Sequence, residues 1–93
     1  MSSSEQEQAA PRHLLIVEDD AAFARTLKRS FERRGYTVDL ASSMAEMQAA
    51  LESATPGFAV VDLKLGGEAS GLSCVQQLHA HDEEMLIVVL TGF

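Results

Sequence analysis

Ninety-three residues make one small domain, near the lower size at which a single core sustains itself. Fourteen Asp and Glu against seven Lys and Arg give a net charge of −7, which argues against a nucleic-acid-binding face and against anionic membranes. An apolar fraction of 46% argues against wholesale disorder, the single Cys74 excludes an internal disulfide, and no apolar run approaches the ~20 residues of a membrane span.

Residues 1–11, rich in Ser, Gln and Glu and closed by Pro11, read as a disordered tail ahead of one domain over 12–93. The tail lacks the basic and apolar regions of a secretory signal, so a cytoplasmic location is expected. "HLLIVE" (13–18) is a short apolar run, the mark of a strand buried on both faces. In "DAAFARTLKRSFERRG", Phe23, Leu27 and Phe31 recur every four residues and predict a helix with one apolar stripe. Arg33 and Arg34 would close it, where cations suit the helix dipole, with Gly35 at C′.

"YTVDLA" (36–41) alternates enough to be an outer strand. Ser43 and Glu46 have the spacing of a capping box, opening a helix that buries Met44, Met47 and Leu51. "AVVDL" (59–63) predicts a buried strand ending at Asp62, and "KLGGEASG" a glycine-rich loop. "LSCVQQLHAHD" reads as a helix with Leu72, Val75 and Leu78 inward, and "EMLIVVL" (84–90) as a fourth buried strand. There is no internal repeat.

The order β-α-β-α-β-α-β predicts an α/β domain: a doubly wound parallel sheet with right-handed crossovers and helices on both faces. Ligands of such sheets bind beyond the carboxyl ends of the strands. Glu18, Asp19 and Asp20 end the first strand, Asp62 the third, and Thr91 follows the fourth. At an effective dielectric near 20, two carboxylates ~6 Å apart repel by about 3 kcal/mol. Such a cluster calls for a hard cation, with Mg²⁺ the expected ion.

Each of these residues also has a plainer reading. Glu18 and Asp19 could cap the first helix, and capping is the main role expected of Asp20. A lone Asp62 after two valines is often a turn residue, and Thr91-Gly92 alone is an ordinary turn. Cys74 is expected to pack as a small hydrophobe. His79 and His81 face different ways on a helix, and His13 has no visible partner. The Arg33-Arg34 pair reads as a solvated helix end.

"LLIVEDD", "AVVDLKL" and "IVVLTG", in that order and separation, resemble the receiver domain of two-component response regulators, with a CheY-like, flavodoxin-like fold. The likeness covers residues 13–93 and looks closest to the RegA/PrrA group. It implies a strand order of 2-1-3-4. It implies that Asp62 is the phospho-acceptor and that Asp19, Asp62 and the backbone carbonyl of Lys64 ligate Mg²⁺, with Glu18 acting through water. Thr91 would be the switch hydroxyl. The implied partner is a sensor histidine kinase, and the implied output is control of transcription through a C-terminal DNA-binding domain. A receiver of this kind is a phosphoryl acceptor rather than an enzyme acting on a separate substrate.

Two departures stand out. Gly66, followed by Gly67, stands four residues after Asp62, where the family usually has a proline, in a loop that reads one residue longer than usual. The sequence also holds none of the fourth helix, fifth strand and fifth helix of a complete receiver, nor the lysine that the fifth strand carries. It therefore reads as a truncated receiver, expected to form a dimer or higher oligomer through residues 84–93. Two rival readings are a pseudo-receiver serving only as an interaction module, and a phosphatase-like domain with Asp62 as nucleophile. The second expects an Asp where Lys64 stands.

Overall fold

The structure, a computed structural model, describes residues 12–62 and 71–90. Seven elements follow one another: β1 (Arg12–Val17), α1 (Ala21–Glu32), β2 (Tyr36–Ala41), α2 (Met44–Ser53), β3 (Phe58–Asp62), α3 (Gly71–His81) and β4 (Leu86–Leu90). The strands form one parallel sheet in the order β2-β1-β3-β4, as the alternation and the resemblance implied. From β1 the chain steps outward to β2, then returns across β1 to β3. Right-handed crossovers then place α1 on one face and α2 and α3 on the other. The reversal lies between β1 and β3, where doubly wound sheets open a crevice at the carboxyl ends of the strands.

Strand periodicity divides the core. On the α2/α3 face, Leu15, Val17, Ala59 and Val61 pack with Met47, Cys74 and Leu78. On the α1 face, Leu14, Ile16, Val38 and Val60 pack with Leu27 and Phe31. Tyr36 stands edge-on between Phe31 and Phe58, with ring centroids 5.4 Å from each.

Several local expectations are corrected. Phe23 is 43% exposed and Ala24 takes the buried place. At 100° per residue, each four-residue step advances about 40°, so Phe23 falls on the shoulder of a face centred nearer Ala24 and Phe31. In α3, Leu72 is 58% exposed while Gly71, Cys74 and Leu78 are buried. Leu72 and Leu78 are six residues apart, about 120° around the helix, so they cannot both point inward.

α1 ends at Glu32, so Arg33 and Arg34 lie beyond its last turn, and Gly35 makes the turn into β2 at φ 92°. The capping box is modified. Ser43 Oγ accepts from the Glu46 N–H at 3.1 Å, but Glu46 Oε1 accepts from the Ser42 N–H and hydroxyl. The fourth strand starts at Leu86 and is not buried: Leu86 is 61% and Val88 56% exposed. Pairing of Leu86 with Phe58 and Val88 with Val60 puts both on the α1 face, and α1 lies over β1 and β2.

Candidate metal centre

β1 and β3 are adjacent and parallel, with Val17 opposite Val61. The next residues, Glu18 and Asp62, therefore meet at the carboxyl end of the sheet. Pairing continues one residue past β1, where the Glu18 N–H donates to the Ala41 carbonyl at 2.9 Å. The chain then turns into α1, and this turn carries Asp19 and Asp20.

Glu18, Asp19 and Asp62 bring carboxylate oxygens within 4.8 Å of one another. Among the described residues, no other group of three His, Cys, Asp or Glu side chains comes together in this way. Asp20 takes a different role. Its Oδ1 accepts from the Phe23 N–H at 3.1 Å and caps α1. The capping that competed for all three acids thus belongs to Asp20, as expected for it, and Glu18 and Asp19 point elsewhere.

Glu18 is 4% exposed. Its Oε2 accepts from the Asp20 N–H at 3.0 Å, whereas its Oε1 is buried with no hydrogen-bond partner. Burial pushes the Glu18 carboxyl up to about 7; the Asp20 N–H opposes this, and Asp62, then Asp19, reinforce it. A buried carboxylate oxygen without a donor, facing two further carboxylates, has the chemistry of a hard divalent cation site. The residues present fit such an ion.

Lys64, Gly66, Gly67 and Thr91 lie outside the described residues. Asp62 pairs with Leu90 in the sheet, and Thr91 is the next residue after Leu90. The remaining candidates settle into structural roles. Cys74 is fully buried in the core, and burial raises its thiol pKa. His81 Nε2 lies 3.1 Å from the Thr55 hydroxyl. His13, for which the sequence offered no partner, lies 2.6 Å from the Asp39 carboxylate. Parallel pairing of His13 with Thr37 puts Asp39 two residues along on the same face, a long-range contact with no local signal.

A family model for the response regulator receiver domain matches residues 14–93. The acid tolerance regulatory protein ActR of Sinorhizobium medicae is 42% identical over 82 residues, covering 88% of this chain and 42% of that protein. The photosynthetic apparatus regulatory protein RegA of Cereibacter sphaeroides is 40% identical over 87 residues, covering 94% and 47%. The chain thus spans about half the length of the curated relatives it matches. A crystal structure of a Burkholderia pseudomallei response regulator, with a phosphorylated aspartic acid and a calcium ion, superposes with a TM-score of 0.82 at 38% identity. That match covers 88% of this chain and 48% of the other. The strand order, the carboxylates gathered at the sheet's switch point and these likenesses agree, and the chain belongs to the response regulator receiver domain family.

Proposed function

We propose that Asp62 is the phospho-acceptor of a two-component receiver and takes its phosphoryl group from a phosphohistidine of a sensor kinase. The observation that carries this reading is the meeting of Glu18, Asp19 and Asp62 within 4.8 Å, with one Glu18 oxygen buried and undonated. An Asp62 oxygen bonds to phosphorus as the donor's P–N bond breaks. The imidazole nitrogen keeps the electron pair and takes up a proton. Positioning and charge neutralisation dominate phosphoryl transfer, so the acceptor needs little help beyond a cation and donors around the phosphoryl oxygens.

Asp19, Asp62 and the Lys64 carbonyl would hold Mg²⁺, with Glu18 acting through water. The ion, when bound, neutralises carboxylate repulsion and screens the incoming phosphoryl charge. Glu18 sits deepest and fixes the turn by accepting from the Asp20 N–H. Asp20 anchors α1 against that turn. Thr91 is assigned the switch hydroxyl that reports phosphorylation. In the parent protein the readout would be transcription control through a DNA-binding domain, in line with the regulatory names of the relatives. No described helix is long and apolar enough to cross a membrane.

The test is a Mg²⁺ titration followed by beryllofluoride, read by amide NMR. The expected result is shifts centred on Glu18, Asp19 and Asp62 with Mg²⁺, then a second, saturable change with beryllofluoride that Asp62→Asn abolishes. Silence towards both ligands would instead favour the pseudo-receiver reading.

A further inference from the structure

α2 and α3 pack on the same face of the sheet and run in the same direction, because each connects two parallel strands. Each turns a matching triplet toward the other: Gln48, Leu51 and Glu52 from α2, and Gln77, Ala80 and His81 from α3. The spacing i, i+3, i+4 puts each triplet on one face of one helical turn. Together the six residues line an open groove of about 420 Å³. Leu51, half-buried against the core, forms its floor, and the single methyl of Ala80 leaves the facing wall bare. Polar contacts span the two helices. Gln48 Nε2 donates to Gln77 Oε1 at 2.7 Å, and Gln77 Nε2 donates to Met44 Sδ at 3.3 Å. Further along, the His81–Thr55 contact ties the end of α3 to the loop that leaves α2. The groove is thus pinned on both sides rather than free to close.

The bland reading is the ordinary crease between two helices packed on a sheet. The charge pattern weighs against it. Neither α2 nor α3 holds a Lys or Arg. Residues 44–90 hold seven of the chain's fourteen Asp and Glu but one of its seven Lys and Arg. Glu52 stands on the rim of the groove, and Asp82, Glu83 and Glu84 follow His81 directly. Among the described residues, the side chains of Glu52, Glu83 and Glu84 make no hydrogen bond or ion pair. A surface that serves only solubility mixes both signs, and this one does not.

We propose that the α2–α3 groove docks a short basic helix of a partner protein, which seats one apolar side chain between Leu51 and Ala80 and brings Lys or Arg to Glu52. An amphipathic helix laid in an apolar groove is anchored by a few side chains one turn apart. A cation one turn from the anchor, about 6 Å along the axis, lies in reach of the Glu52 side chain. Such a cation meets no like charge on either helix, whereas an acidic segment would face an unpaired carboxylate at once. Nucleic acid and anionic lipid are opposed by the same acids. A small ligand is a poorer fit, because small-ligand pockets enclose most of their ligand and this groove is open.

Docking here needs no chemistry at Asp62 and is tested without phosphorylation. The probe is a labelled, alanine-rich helical peptide with one Leu and with Lys one turn to either side, titrated with the 93-residue chain and followed by fluorescence anisotropy. Saturable binding that weakens with salt is expected. Ala80→Phe fills the groove without altering charge and should weaken binding at least about tenfold. Glu52→Gln should weaken it about threefold or more and make the salt dependence shallower. Glu32→Gln, on α1, should stay within about twofold. Ala80 and Glu52 are exposed, so both variants should melt close to the unmodified chain. If Ala80→Phe fails to fold, Ala80→Gln replaces it with the same readout. Unchanged binding by the groove-filling variant, no binding of the Lys peptide at low salt, or tighter binding of a peptide with Glu in place of Lys would each overturn the proposal. So would loss of the chain's own self-association in Ala80→Phe, which would make a second copy the occupant.

Discussion

Glu18 is held under the sheet's carboxyl edge with one oxygen facing no hydrogen-bond donor, beside Asp19 and Asp62. Without a cation, each neighbouring carboxylate raises the energy of the others. Asp62→Asn or Asp19→Asn should therefore stabilise the metal-free fold near neutral pH by about 1–3 kcal/mol. Millimolar Mg²⁺ should stabilise the unmutated protein by mass action and these variants less. Thermal melts with and without Mg²⁺ check this, and Asn variants that melt lower in metal-free buffer would contradict it. Burial sets the pH dependence of the same site. An acid raised to about 7 in the fold, from its usual 4.5, binds its proton more tightly when folded. Its stabilising contribution is complete below about 4.5 and is lost as pH rises through about 7. Urea midpoints of the metal-free protein should thus fall between pH 5 and pH 7.5, and Glu18→Gln should flatten that fall. Mg²⁺ affinity should run the other way, weakening below about pH 7 as Glu18 takes its proton.

At the scale of elements, the side chains that face inward decide which substitutions matter. Leu78 is fully buried between α3 and the sheet, whereas Leu72, on the same helix, is mostly exposed. Leu78→Ala should cost about 2–5 kcal/mol, and Leu72→Ala should stay within about 0.5 kcal/mol, measured by denaturant unfolding. The sequence could not separate these two leucines. Leu72, Val75 and Leu78 are spaced by threes, and three residues fall short of a full turn, so such a row spirals off any one face. Apolar residues spaced by fours drift the opposite way, which hid Ala24 behind Phe23. Strand existence and the parallel sheet were easier to read, because short apolar runs alternate with helical stretches, whereas the strand order followed from the resemblance to receiver domains. The acidic site was legible for the same reason. Strands β1 and β3 end in acids, and a parallel sheet brings those ends together. The His13–Asp39 contact depends on the register between β1 and β2, which composition does not carry.

Across the whole molecule, the two sheet edges are unequally protected. β2 presents Thr37 and Asp39, and a charged residue on an edge discourages pairing with another chain. β4 reads LIVVL, with no polar residue, and pairs only with β3 among the described residues. Leu86, Val88 and Val89 are exposed, so an unpaired backbone edge coincides with bare apolar side chains on both faces. The 93-residue chain should therefore self-associate through β4, by strand pairing or by apolar contact across the α1 face. Val88 decides between assembly and folding as the origin of any effect. Its outward position means a charge there meets solvent rather than core, so Val88→Lys should disperse the assembly while the melt remains cooperative. Burying a charge at Val61, fully enclosed on β3, should instead unfold the chain. Sedimentation velocity at micromolar concentration, run on the unmodified chain and on Val88→Lys, separates the outcomes. A concentration-dependent dimer or larger species that becomes a folded monomer in the variant is expected. A unmodified chain that sediments as a monomer with a cooperative melt would mean that a four-strand sheet tolerates this edge, and the association would have to be abandoned.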